Sequence, residues 1–242
     1  MRNILLRATG RTRMPSLKRY ANRVKREKSI IKAHEEHFAG HRDDYKSLEK
    51  YVENFRSSGG LKHQYQVYKL WCLKKLLAQY KPKSILELGS GSSTLVFNEY
   101  VKENDARLLS IDENEKWASN TLGLIGEDKS TKTDILVKEK ICLPARMPPE
   151  IKYDVDIKEK FDFVFIDGPS LQIGSGKFSE AVNSNIFDLP EAPEVVVIDV
   201  RKATAEELAK KYSVTHDAFL SDLFTEKPVS EDYRYFSVFQ KK

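Results

Sequence analysis

The chain has 242 residues, 40% of them hydrophobic and 32% charged, the composition of a globular protein with a real core. No apolar run approaches the ~18–20 residues that a membrane-spanning helix requires. The net charge of +5 is uneven: residues 1–28 hold ten Lys/Arg and one acid, a local +9, while the remaining 31 bases and 35 acids sum to −4.

Residues 1–14, MRNILLRATGRTRM, carry an apolar patch of only three residues, Ile4–Leu6, too short for a signal-peptide core. An Arg-rich start without acids also suits an organellar transit peptide. From Pro15 and Ser16 the pattern turns helical, with Leu17, Tyr20, Val24 and Ile31 recurring at helical spacings. Gly40 and the run 41–44 are expected to interrupt it. A second helix is predicted from Asp43, with Tyr45, Leu48, Tyr51, Val52 and Phe55 on one face. SSGG (residues 57–60) reads as a linker, which divides the chain into a basic helical arm, residues 1–60, and a domain, residues 61–242.

A helix over 61–80 is striped by Tyr65, Tyr68, Leu70, Trp71, Leu73, Leu76 and Leu77. Short apolar runs then alternate with helical stretches: SILEL, ARLLSID, DILV, FDFVFID and EVVVIDV. Runs of nearly continuous Val, Ile, Leu and Phe are typical of strands covered on both faces, as in a parallel sheet. The tail, YSVTHDAFL and YRYFSVFQ, alternates more and predicts an antiparallel pair. The fold class is therefore α/β: a doubly wound, mostly parallel seven-stranded sheet with an antiparallel C-terminal strand, preceded by the arm. Cys72 and Cys142 have neither CxxC nor metal-ligand spacing, so buried thiols in a reducing, cytoplasmic setting are expected.

The stretch ELGSGSST follows the first predicted strand directly. Glycine at such a turn lets backbone approach a ligand, because no Cβ intervenes. A dinucleotide loop would carry a third glycine where this chain has Thr94. The run Glu87-Leu88-Gly89-Ser90-Gly91-Ser92-Ser93-Thr94 instead resembles the first motif of class I S-adenosylmethionine (SAM)-dependent methyltransferases. Asp112, with Glu113 beside it, ends the next strand 21 residues after Gly91, near the ~20 expected of a ribose-binding acid. FDFVFIDGPS places Asp167 at the end of the fourth strand, and EVVVIDVRK supplies a fifth. The resemblance covers roughly residues 61–242. It implies SAM as cofactor, with Glu87, Gly89, Ser90, Gly91, Ser92, Ser93, Thr94, Asp112, Glu113 and Asp167 as cofactor residues. Asp112 and Asp167 also suit plain turns after strands. The family's adenine-binding acid is missing, since Lys140, Ile141 and Cys142 occupy its region. Trp117 reads either as an adenine platform or as a core anchor.

The sequence Asp167-Gly168-Pro169-Ser170 departs from the [DN]-PP-[YF] motif of enzymes that methylate base amines. Together the motifs resemble a branch that includes glycan and small-molecule O-methyltransferases. On that reading Asp167 is the general base or hydroxyl-orienting acid, with Asp199 and Arg201 across the crevice, and Arg201 suits an anionic group of the acceptor. His63 is a candidate lid residue or base, and His216 is expected to be structural. A metal between Asp167 and Asp199 would want a third oxygen ligand that is not evident, so none is expected. His34, His37 and His41 fit a solvated face better than a metal site.

The expected partners are a small-molecule or glycan acceptor and, for residues 1–28, the chain's own domain, a second copy, an anionic membrane surface or nucleic acid. The alternatives to O-methylation are an RNA methyltransferase using the arm and an inactive SAM-binding scaffold.

Overall fold

The computed structural model describes residues 39–40, 42–57, 65–144, 147–173, 176–177, 180–221 and 236–242. Residues 1–38 of the basic arm, with His34 and His37, lie outside them, as do His41, residues 58–60 of the expected linker, His63 and the loop through Pro228.

Helix α1 (Arg42–Ser57) opens with Asp43 and Asp44 in its first turn, where carboxylates favour the positive end of the helix dipole. Ala39 and Gly40 are themselves helical, so the break expected at Gly40 does not fall at that residue. Tyr45, Leu48, Val52 and Phe55 are buried at spacings of three and four. Three of them, Tyr45, Leu48 and Val52, share a cluster with α2 (Tyr65–Tyr80) and with strand residues Ile85, Phe163 and Val197. The division at residue 60 follows composition; the packing runs across it. Helix α2 is apolar nearly all round, as suits a helix with protein on several sides.

The main sheet is seven-stranded, in the order β11-β12-β10-β6-β1-β2-β3. Its central strands are β1 (Ser84–Leu88), β2 (Arg107–Asp112), β3 (Thr133–Val137), β6 (Phe163–Ile166) and β10 (Val195–Asp199), all parallel to their neighbours among these five. Strand β12 (Phe236–Lys241) runs antiparallel between β10 and β11 (His216–Phe219). Alternate residues serve opposite faces: Ile85, Phe163, Phe165 and Val197 pack on one side, Leu86, Leu88, Val164 and Ile198 on the other. Both faces are buried, which explains the unbroken apolar runs. Helix α3 (Ser92–Asn104) follows β1, α4 (Glu115–Ile125) follows β2, and α5 (Lys202–Lys211) follows β10.

A second, three-stranded sheet was not anticipated. It joins β4 (Lys140–Leu143), β5 (Glu150–Tyr153) and β9 (Val182–Asn183). Between β5 and β9 come β6 and the two-residue strands β7 (Gln172–Ile173) and β8 (Gly176–Lys177). Cys142 lies on β4 and is only half-buried, unlike Cys72 in the core, so the expectation of two buried thiols holds for one. His216 is structural as expected, with Nε2 2.8 Å from the Pro193 carbonyl and its ring stacked on Tyr212.

The chain builds outward through β1, β2 and β3, then returns to place β6 on the other side of β1. The order therefore reverses between β1 and β6, and a crevice opens beyond their carboxyl ends.

Candidate active site

Glu87 is the foundation of the loop after β1. It is fully buried and accepts hydrogen bonds from Ser93 Oγ at 2.5 Å, Thr94 Oγ1 at 2.6 Å and Ser110 Oγ at 2.6 Å. Burial pushes its carboxyl up to about 8; the three hydroxyls pull the other way, and the charge of Asp167 adds a smaller upward push. Thr94, also fully buried, accepts from the Gly91 amide at 2.8 Å. Glu87 and Thr94, expected to meet the cofactor, lie beneath the cleft and shape its floor.

The two glycines have different reasons. Gly89 has φ +102°, and a Cβ there would lie 2.6 Å from Gly168 N and 2.8 Å from Asp167 C. The loops after β1 and β6 touch backbone to backbone, so the fold itself requires Gly89. Gly91 has an extended φ of 171°, open to any residue. Its added Cβ would meet only Trp117 Nε1, at 3.8 Å, among the described residues. The space that Gly91 leaves belongs to the cleft.

That cleft has a volume of about 310 Å³. Gly89, Ser90, Gly91, Ser92 and Ser93 form one wall; Asp112, Glu113, Asn114 and Trp117 form the next; Asp167, Gly168 and Ser170 close the third. Asp112 Oδ2 accepts from Ser90 N at 2.8 Å and Ser90 Oγ at 3.0 Å, and Oδ1 accepts from Asn114 N at 2.8 Å. Burial raises its proton affinity, and these bonds oppose the rise. Glu113 receives Ser170 N at 2.8 Å and the Tyr153 hydroxyl at 3.2 Å, tying the small sheet and the loop after β6 to the end of β2. Asn114 caps α4 by accepting from Trp117 N at 3.1 Å.

Asp167 is the carboxylate that opens most to the cleft floor, with its side chain 51% exposed. The surrounding protein and Asp199 push its carboxyl up to about 7, against Arg201 and Lys69, which hold it down. Water in the open cleft moderates that push. Arg201 stands 3.9 Å from Asp167 Oδ1 but is itself buried. Its guanidinium donates to the carbonyl of Pro169 at 2.8 Å, to Asn183 Oδ1 at 3.2 Å and to the Asp167 carbonyl. These bonds commit Arg201 to holding the loop after β6, so the expected role of binding an anionic acceptor does not match its placement. Asp199 is likewise buried and paired with the ammonium of Lys69 on α2, behind the cleft rather than across it.

Sequence reasoning missed Lys69, Val52, Phe55 and Gln66. The last three line the cleft, and the first two of those come from α1, on the arm side of the compositional boundary. Their signal was present: Val52 and Phe55 lie on the predicted apolar face. Among the described residues no cluster of three or more His, Cys, Asp or Glu side chains suits a metal ion.

No family model matches the sequence, and a comparison with curated proteins gives no match. Solved structures do match. A candidate caffeoyl-CoA O-methyltransferase from Staphylococcus aureus shares 18% identity with a TM-score of 0.52, covering 86% of this chain and 98% of its own. An SAH-bound methyltransferase from Podospora anserina shares 13% identity with a TM-score of 0.51, covering 83% and 88%. The fold is thus the Rossmann-like fold of class I methyltransferases, as the order of the motifs led one to expect.

Proposed function

We propose that this chain is a SAM-dependent O-methyltransferase acting on a hydroxyl of a sugar, glycan or related small molecule. The observation that carries the reading is the convergence of three strand ends on one cleft: the Gly91 loop after β1, Asp112 after β2 and Asp167 after β6. The residues fit the cofactor. Gly91 withholds a side chain where the fold does not ask it to, and Asp112 is a partly desolvated carboxylate suited to a pair of ribose hydroxyls. The Ser90–Ser93 backbone and the start of α3 would hold the methionine end.

SAM supplies a methyl group already activated on its sulfonium. The chain has to bind it, align the acceptor oxygen and receive the proton that the hydroxyl gives up. We assign that proton to Asp167, which is open to the cleft and shifted toward neutrality. A base of this kind works when deprotonated, so turnover should rise with pH through about 7 and flatten above. Arg201 and Glu113 act as positioning residues that fix the loop bearing Asp167 to its neighbours. Residues 1–28 would hold the enzyme to an anionic surface, whether membrane or nucleic acid, or pack on a second copy. Among the described residues no helix is long and apolar enough to cross a membrane.

Calorimetric titration with SAM and with its demethylated product, S-adenosylhomocysteine (SAH), tests the cofactor reading beside Asp112→Ala. Micromolar binding that the variant loses supports it; no binding to a well-folded wild type overturns it. With an anionic sugar library as acceptor, Asp167→Asn should keep SAH affinity and lose turnover by ~10²–10⁴-fold. Unchanged turnover removes Asp167 from the mechanism.

A further inference from the structure

The feature of the cleft left over by the cofactor argument is its aromatic wall. Phe55 and Trp117 are the aromatic side chains among its described lining residues. They come from α1 and α4, on segments 62 residues apart in the chain. Their ring centroids are 5.4 Å apart with planes at 46°. Phe55 is 4% exposed, so it backs the wall, whereas Trp117 is half-buried and meets the cleft.

Trp117 is also pinned by a hydrogen bond to the loop after β1. Its indole Nε1 donates to the Ser90 carbonyl at 2.6 Å. The same Ser90 donates through its amide and its hydroxyl to Asp112 Oδ2. One residue therefore couples the indole to the carboxylate proposed to hold the ribose. Lys140, where an acid for the adenine amine is expected, is instead engaged with the Ser170 carbonyl at 3.0 Å and with Glu113 at 3.8 Å. Among the described lining residues, Trp117 is the aromatic face open to a flat purine attached to a ribose on Asp112.

Building on the cofactor reading above, we propose that Trp117 is the platform on which the adenine of SAM stacks, and that Phe55 of α1 is the positioning residue that holds the indole in place. Stacking needs no hydrogen-bond code, which is consistent with Lys140, Ile141 and Cys142 standing where an acid for the adenine amine would be sought. It also makes α1 part of the cofactor site.

The chain has two tryptophans, and Trp71 is buried in the core. Trp71→Phe therefore leaves Trp117 as the sole indole reporter, and the difference between wild type and Trp117→Phe gives the same signal if the first variant does not fold. SAH should quench the Trp117 emission in parallel with its calorimetric isotherm. Trp117→Ala should weaken SAH about tenfold to a hundredfold, with Trp117→Phe restoring most of the loss. S-ribosylhomocysteine, which lacks the base, should bind the alanine variant as well as the wild type. Phe55→Ala should weaken SAH severalfold, and Phe55→Leu should restore it. SAH bound without quenching, or equal losses for SAH and S-ribosylhomocysteine in Trp117→Ala, would overturn the platform and leave the cofactor reading intact. No SAH binding to the folded wild type would overturn both.

Discussion

Glu87 and Asp199 are both buried carboxylates near the carboxyl ends of central strands, on either side of β6, yet they are held in opposite ways. Glu87 sits among the hydroxyls of Ser93, Thr94 and Ser110. Asp199 is met by the ammonium of Lys69. Hydroxyl dipoles replace only part of the lost hydration, which is why burial carries the Glu87 carboxyl up to about 8. A cation offsets the buried charge more fully and leaves a charged pair behind the cleft, where Asp199 acts on Asp167. The first arrangement stiffens a loop; the second tunes a neighbour.

The sharpest break in that comparison is Lys69→Met. It leaves Asp199 buried without its cation and should cost about 3–5 kcal/mol of stability, read from urea unfolding. A loss under about 1 kcal/mol would mean that the pair is less enclosed than its burial implies.

Asp199→Asn separates the electrostatic effect from the structural one, because an amide oxygen still accepts from Lys69. Without the like charge, Asp167 should hold its proton less tightly, and the titration midpoint of its ¹³C-labelled carboxyl should fall below that of the wild type. An unmoved midpoint would show that the Asp199 charge does not act on Asp167.

Glu87→Gln sharpens the hydroxyl side, with an expected cost of about 1 kcal/mol below pH 5. Folded Glu87 keeps its proton up to about 8, while the unfolded carboxyl releases it near 4.5. Between those values the unfolded state binds fewer protons, so this group's stabilisation is lost as pH rises. The glutamine variant lacks that slope and should gain on the wild type from pH 5 to 8. Parallel unfolding curves across that range would mean that Glu87 is already ionised in the fold.

The smallest expected change lies at Gly91. Alanine there meets only Trp117 Nε1, at 3.8 Å, so stability should stay within about 0.5 kcal/mol while SAH affinity falls. Gly89→Ala should instead unfold the loop contact with Gly168. Equal stability losses at the two positions would contradict the distinction drawn between them.

The strands were legible because their signals are local. SILEL and VVVID are buried at every position, and such runs announce themselves without knowledge of their neighbours. The small sheet was not legible: β4 and β5 are four residues each, and β5 pairs with a two-residue strand that follows β6. The site was half legible. Gly91, Asp112 and Asp167 line the cleft, while Glu87, Thr94, Asp199 and Arg201 carry the same chemistry into positions that support it from behind. Lys69 gave no signal, because a lysine in an apolar helix is understood only when its carboxylate, 130 residues on, is brought beside it.

By itself, then, the sequence determined the strands of the main sheet, the helices that alternate with them and the turns that follow them, since periodicity, glycine and strand-end acids act over a few residues. Tertiary structure alone decided which acid faces the cleft, which is neutralised by a cation, and that a helix assigned to the arm supplies a wall of the site. The fate of a charged or aromatic side chain depends on the dielectric and the partners that distant segments bring to it, and no local pattern encodes those.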